Sequence, residues 1–118
     1  MKKILLIILF ALSIKSAHAY QESYYQDIYC DLVEGEKEVI LDDKTRVDCL
    51  TKEYAIELDF THKAYECGFQ ALHYAYKTNR KPLCVLIGNK KDYDKNAKRL
   101  KDVAKYYILP LEVNWIEK

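Results

Sequence analysis

Between Thr45 and Ile87 the chain reads TRVDCLTKEYAIELDFTHKAYECGFQALHYAYKTNRKPLCVLI. It carries an isolated Asp48, a Glu57-x-Asp59 pair and a Gln70-x-x-x-Tyr74 element. Carboxylates are the raw material of a hard-cation site: Mg²⁺ and Mn²⁺ take oxygen ligands, and two or three carboxylates plus water suit them. Strand alternation sorts the side chains. In 54–60, Ala55, Glu57 and Asp59 share one face, opposite Tyr54, Ile56, Leu58 and Phe60. In 45–50, Arg46, Asp48 and Leu50 share a face, opposite Val47 and Cys49. If Asp48 lies on the face of Glu57 and Asp59, three carboxylates converge. The following helix sets Lys63, Cys67, Gln70 and Tyr74 on one stripe, which would bring a cation to the strand ends. Hydrolysis of a phosphodiester needs an activated water and a positive group near the developing charge. This inventory meets that need. Taken singly, the same acids also read as a solvated strand face, with Gln70 and Tyr74 as ordinary half-buried helix packing.

The elements that must position these groups can be read along the chain. Tyr24 to Val33 reads as a helix, with Ser23 as N-cap and Gly35 beyond its end. Val39-Ile40-Leu41 is a short strand, followed by turn chemistry at Asp42-Asp43-Lys44. Thr45 to Leu50 and Tyr54 to Phe60 alternate as strands around a tight Thr51-Lys52-Glu53 connection. The period then changes: Lys63 to Lys77 places Ala64, Gly68, Ala71 and Ala75 on a narrow helical stripe, stopped by Asn79 and Pro82. Leu83 to Ile87 is the continuous apolar run of a strand covered on both faces. Lys90 to Tyr107 is a helix with Ala97, Leu100, Ala104 and Tyr107 on its apolar side. Leu111 to Ile116 closes as a strand. The order α-β-β-β-α-β-α-β contains β-α-β crossovers, so the fold class is α/β, a mixed sheet flanked by helices.

The start of the chain bears on the compartment. Lys2 and Lys3 precede an apolar run from Ile4 to Leu12, and Ala17-His18-Ala19 supplies a small-x-small cleavage pattern. Residues 1–19 are therefore expected to be a cleaved Sec-type signal peptide, and 20–118 a single domain in the periplasm or outside the cell. No membrane partner is expected after cleavage, since no second long apolar run follows. Without Lys2, Lys3 and Lys15 the formal charge moves from +1 to −2, so attraction to nucleic acid would need a local patch. Eleven tyrosines against three glycines argue against a low-complexity chain. Cys30, Cys49, Cys67 and Cys84 are an even set behind a signal peptide and lack C-x-x-C spacing, which favours disulfides over zinc. Counting alone leaves three pairings open.

Asp48, Glu57-Leu58-Asp59 and Gln70-Ala71-Leu72-His73-Tyr74, in this strand–strand–helix order, resemble the PD-(D/E)XK nuclease superfamily. The Gln-x-x-x-Tyr element looks most like its RecB-type branch. The chain also resembles a group of small exported bacterial proteins of unassigned function that carry RVDCLT, YAIE-x-DF and a Gln-bearing helix before a P-x-x-VLI strand. The superfamily resemblance implies a metal-dependent nuclease core using Mg²⁺ or Mn²⁺, with nucleic acid as partner. Asp48 would match its first metal-binding Asp and Glu57 the acid of its (D/E)-x-K element. Gln70 and Tyr74 would match the helix motif that positions site and substrate, and Glu38 would be an additional upstream acid. The pattern departs at position 59, where the superfamily has lysine and this chain has Asp59. A third carboxylate there makes Asp59 a ligand or water-orienting group and leaves the electrophile's role to Lys63. The rival is a non-catalytic exported binding module that reuses the nuclease fold.

Pairing of the cysteines follows from the same layout. Cys49 faces away from Asp48, toward the layer where a first helix bearing Cys30 can cover the sheet, and cysteines at these two positions tend to occur together in the exported group. Cys67 and Cys84 lie on a helix and the next strand of one crossover. The expected bridges are Cys30–Cys49 and Cys67–Cys84. His62 and His73 are left out of the site. The lysines of the last helix read as a solvated face.

Overall fold

The computed structural model describes residues 22–118, and the expected signal segment 1–19 lies outside the described residues. A first helix, α1, runs over residues 22–32. Then come β1 (Glu36–Ile40), β2 (Arg46–Leu50), β3 (Tyr54–Phe60), a single 3₁₀ turn (Thr61–Lys63), α2 (Ala64–Thr78), β4 (Lys81–Gly88), α3 (Lys90–Tyr106) and β5 (Glu112–Glu117). The strands form one mixed sheet in the order β1-β2-β3-β4-β5. Neighbours are antiparallel from β1 to β3 and parallel from β3 to β5. The α/β class and the order of elements are as expected.

Each face of the sheet has its own core. On one, Cys30 of α1 packs with Cys49, Ile56, Leu58, Phe60 and with Leu83, Val85 and Ile87 of β4. On the other, the small stripe of α2 and Ala97 and Leu100 of α3 pack on Cys84, Leu86 and Val113. Every residue of β4 after Lys81 is buried, as a strand covered on both faces must be. The expected disulfides tie a helix to each face: Cys30–Cys49 and Cys67–Cys84 both form, each with Cα atoms 5.7 Å apart.

Local chemistry explains most boundaries. Asn79 adopts the left-handed conformation at the end of α2, where Asn tolerates it best after Gly. Asn89 caps α3, its side chain accepting the Asp92 N–H at 2.8 Å. Gly35 follows α1, but the left-handed residue there is Glu34. Gly35 serves packing instead, because a Cβ would overlap the sulfurs of Cys49 and Cys30.

Three readings need correction. β1 starts at Glu36 rather than Val39, because Glu36 and Lys37 pair with Leu50 and Cys49 despite their polarity; an edge strand has a solvated side for such residues. Tyr107 does not join the apolar stripe of α3: the helix ends at Tyr106, and Tyr107 is 66% exposed. Val47 and Cys49 do not share a core. Cys49 packs with Cys30 and Ile56, whereas Val47 packs with Ala55, Tyr74 and Ala75. Alternation fails between them at Asp48, where the side chain takes over a backbone partner of β3.

Candidate functional site

The pairing of β2 with β3 runs through Cys49–Ile56 and Leu50–Ala55. Beyond it, Asp48 Oδ2 accepts the Leu58 N–H at 3.0 Å, so a carboxylate stands in for a strand carbonyl. Across β1, Glu38 sits between the paired residues Lys37 and Val39 with φ 54. The local opening of the ladder turns the Asp48 carboxyl toward Glu57 of the next strand. The two carboxyls are hydrogen-bonded to each other.

Glu57 and Asp59 are not a solvated strand face: they are 7% and 5% exposed. In the parallel register Glu57 lies beside Cys84 and Asp59 beside Leu86. The Cys67 sulfur rests 3.4 Å from the Glu57 carbonyl oxygen, a van der Waals contact since the disulfide has no S–H. The Cys67–Cys84 bridge thus lies alongside the acids and holds α2 down beside them. Glu57 Oε2 is buried with no hydrogen-bond partner. Such an orphan costs free energy that a stable core does not need to spend, and it calls for an explanation.

Protons answer part of that cost. Burial, with the Asp48 charge and hydrogen bond and then the Asp59 charge, pushes the Glu57 carboxyl up to about 10. Burial likewise raises Asp48, against the pull of the Leu58 N–H, its bond with Glu57 and the Arg46 charge. Asp59 is pushed up to about 7 by burial and by a hydrogen bond and charge from Glu22, while Lys63 pulls it down. At neutral pH Glu57 therefore keeps its proton and donates to Asp48. Tyr74, nearly buried, is pushed up to about 12 by burial and then by Glu57 and Asp48.

The structure brings together most of the groups expected from sequence. Asp48, Glu57 and Asp59 act on one another, Tyr74 of α2 lies within their field, and Lys63, the residue before α2, acts on Asp59. Among the described residues Lys63 makes no ion pair and Gln70, half-buried on the stripe between Cys67 and Tyr74, no side-chain hydrogen bond. Gly88 helps set Lys63: the Thr61 side chain fills the space where a Cβ would stand, so the 3₁₀ turn lies close against the end of β4. Glu38 is exposed on β1. His73 pairs with Asp43 at 2.8 Å and His62 stacks on Phe60, both apart from the acids.

Sequence reasoning missed Glu22. It is the first described residue of α1, eight residues or about 12 Å of helix before Cys30, and its carboxyl acts on Asp59 by hydrogen bond and charge. The one available signal was the Cys30–Cys49 bridge, which commits α1 to this sheet.

No three of the Asp, Glu, His and Cys side chains among the described residues stand in an arrangement that holds a metal ion. All four cysteines are bridged, so the donors left are oxygens. Asp48 and Glu57, which act on each other and include the orphaned buried oxygen, are the residues that would hold a hard cation, for which one or two carboxylates suffice. Comparison with protein-family models, with curated proteins and with solved structures finds no match.

Proposed function

We propose that Asp48 and Glu57 bind Mg²⁺ or Mn²⁺ in a PD-(D/E)XK-like core, and that the protein is an exported nuclease hydrolysing phosphodiester bonds of nucleic acid. The observation that carries this reading is Glu57 Oε2, a buried oxygen without a hydrogen-bond partner, on a carboxyl that feels the charge of Asp48. A cation there would acidify a bound water and offset the charge of a phosphodiester. Asp59, near 7, is poised to orient or deprotonate a water at neutral pH. Lys63 supplies positive charge on the Asp59 side, where the superfamily's lysine is missing. Tyr74 lies in the field of the acids, Gln70 stands one turn before it on α2, and the two would position the substrate. Two disulfides support an oxidising compartment.

Cleavage of single- and double-stranded DNA and RNA with Mg²⁺ or Mn²⁺ tests this reading. Turnover is expected, with loss of at least about a hundredfold in Asp48→Ala and Glu57→Ala. Lys63→Ala should abolish cleavage while sparing metal binding; full activity in that variant would remove Lys63 from the mechanism. One observation favours a second reading: Asp59 stands where the superfamily has its lysine. A non-catalytic binding module would bind cation and nucleic acid and cleave neither DNA nor RNA.

A further inference from the structure

Away from the acids, the C-terminal end of α3 carries apolar side chains that the core does not use. Tyr106, Tyr107, Ile108 and Leu109 are consecutive and 79, 66, 90 and 40% exposed. The segment is held in place: the Tyr107 N–H donates to Val103 O at 3.1 Å and the Leu109 N–H to Ala104 O at 2.8 Å. Ile108 has φ 55, a left-handed backbone that is unfavourable for a β-branched residue and cheap for Gly or Asn. The left-handed backbone at Ile108 closes the helix, with the Ile108 N–H donating to Lys105 O at 3.3 Å. The isoleucine side chain, with nine-tenths of the residue's surface in water, serves neither that cap nor the core. Behind it lies an apolar cleft of about 210 Å³ between α2 and α3, edged by Tyr65, Phe69, Val103 and Leu109.

The charge around this tip selects its partner. Residues 90–109 carry seven basic and three acidic side chains, a local charge of +4 in a chain of formal charge +1. Two of the acids are taken by Lys90 and Lys98 in ion pairs within the helix. Lys101 and Lys105 precede the tip and enter no ion pair among the described residues, Lys105 in the last turn and Lys101 with its ammonium 5.8 Å from the Tyr93 ring. A two-fold contact between copies would set these lysines against themselves, which disfavours a second copy of this chain. Aromatic and aliphatic side chains at a hydrogen-bonded tip, at the end of a helix rich in lysines whose stems are apolar and whose heads are charged, match the boundary of an anionic bilayer. We propose that residues 106–109, with Lys101 and Lys105, form a docking surface for an anionic lipid membrane. The contact is peripheral. The expectation of no membrane partner rested on long apolar runs, whereas this surface is assembled from a helix end and the neighbouring helix.

Co-sedimentation of the purified protein with vesicles tests it, using equal parts phosphatidylglycerol and phosphatidylcholine against phosphatidylcholine alone. Binding is expected to the anionic vesicles only, and to weaken with added salt. Ile108→Asn keeps the left-handed backbone while removing the apolar tip, and should weaken binding about tenfold with no fall in melting temperature. The pair Lys101→Glu and Lys105→Glu should weaken it at least as much. No binding to anionic vesicles, or undiminished binding in Ile108→Asn, overturns the proposal. So does a dimer in sedimentation equilibrium that Ile108→Asn dissolves while vesicles go unbound. Capture of single-stranded oligonucleotide but not vesicles, unaffected by Ile108→Asn, would reduce the tip to plain basic charge.

Discussion

The two faces of β3 are buried alike and built oppositely. Ile56, Leu58 and Phe60 are 1, 1 and 3% exposed and make the center of the α1-side core. On the reverse, Glu57 and Asp59 are 7 and 5% exposed. Burying each apolar side chain contributes about 1.5–3 kcal/mol. Burying the acids works the other way, since each must hold a proton or carry a desolvated charge. Apolar residues of similar volume on both faces would give a more stable sheet. The acid face therefore marks where stability has been traded for another use, and the substitutions below test whether that division is real.

The largest effect should come from the apolar face. Leu58→Ala leaves a cavity in a well-packed core and should cost about 2–5 kcal/mol, or roughly 4–8 °C of melting temperature per kcal/mol in a domain this size. Next comes the Cys30–Cys49 bridge, which closes a sequence separation of 19 residues. Its removal by paired Cys→Ala changes should cost about 3 kcal/mol. It should also link the faces: with α1 loosened, Glu22 leaves Asp59, and the Asp59 carboxyl titrates below about 7. Carboxyl-resolved NMR titration reads this directly. An unchanged Asp59 titration in the bridge-less protein would mean that α1 does not shape the site.

Much of this contrast was legible in the sequence. The strand 54–60 alternates so cleanly that its limits and both its faces match the structure to the residue. The small stripe of α2 and the Asn79 stop were equally clear, because spacing and capping are local. The Cys67–Cys84 bridge followed from the packing of helix on strand in a β-α-β unit, and Cys30–Cys49 from the facing of Cys49 together with the resemblance to the exported group. What escaped were effects of distant partners. Period-2 reasoning assigned Val47 to the face of Cys49 because it has no place for a side chain that replaces a ladder hydrogen bond, as Asp48 does. Tyr107 fitted a 3.6-residue period, but the left-handed Ile108 follows it and the helix does not continue. Glu22 lies outside every motif and reaches Asp59 only after α1 docks. The depth of burial of Glu57 and Asp59 was hidden as well, since an acid in a strand reads as solvated until the helices above it are placed.

Replacing Glu57 with Gln sharpens the comparison from the other side. Its carboxyl titrates at about 10 in the fold against the usual 4.5, so between these values the folded state binds more protons than the unfolded chain. Stability then falls as pH rises through that window, and Asp59 adds to the fall up to about 7. Glu57→Gln cannot ionise in either state and removes the Glu57 part. Near pH 4 the two proteins should melt together in the absence of divalent cation. By pH 8 the variant should be the more stable by on the order of 2 kcal/mol. Equal stability at both pH values would mean that Glu57 is neither strained nor held neutral, and the acid face would lose its claim to be costly.

The smallest expected effect is also the most specific to the proposed site. Mg²⁺ or Mn²⁺ at ten times its Kd should stabilise the protein by about 1.4 kcal/mol, because a ligand that binds only the folded state shifts the equilibrium by mass action. The protons already on the acids give this binding a signature that bare surface carboxylates lack. Glu57 carries a proton up to about pH 10 and Asp59 one up to about 7, so a cation must displace them. Affinity should therefore rise with pH across the neutral range. Calorimetry in buffers of different ionisation enthalpy should show proton release on binding, smaller in Glu57→Gln because Gln has no proton to give up. Cation binding of pH-independent affinity, with no proton released, would falsify the assignment of Glu57 as a ligand and leave the buried acids as a site for something other than a metal.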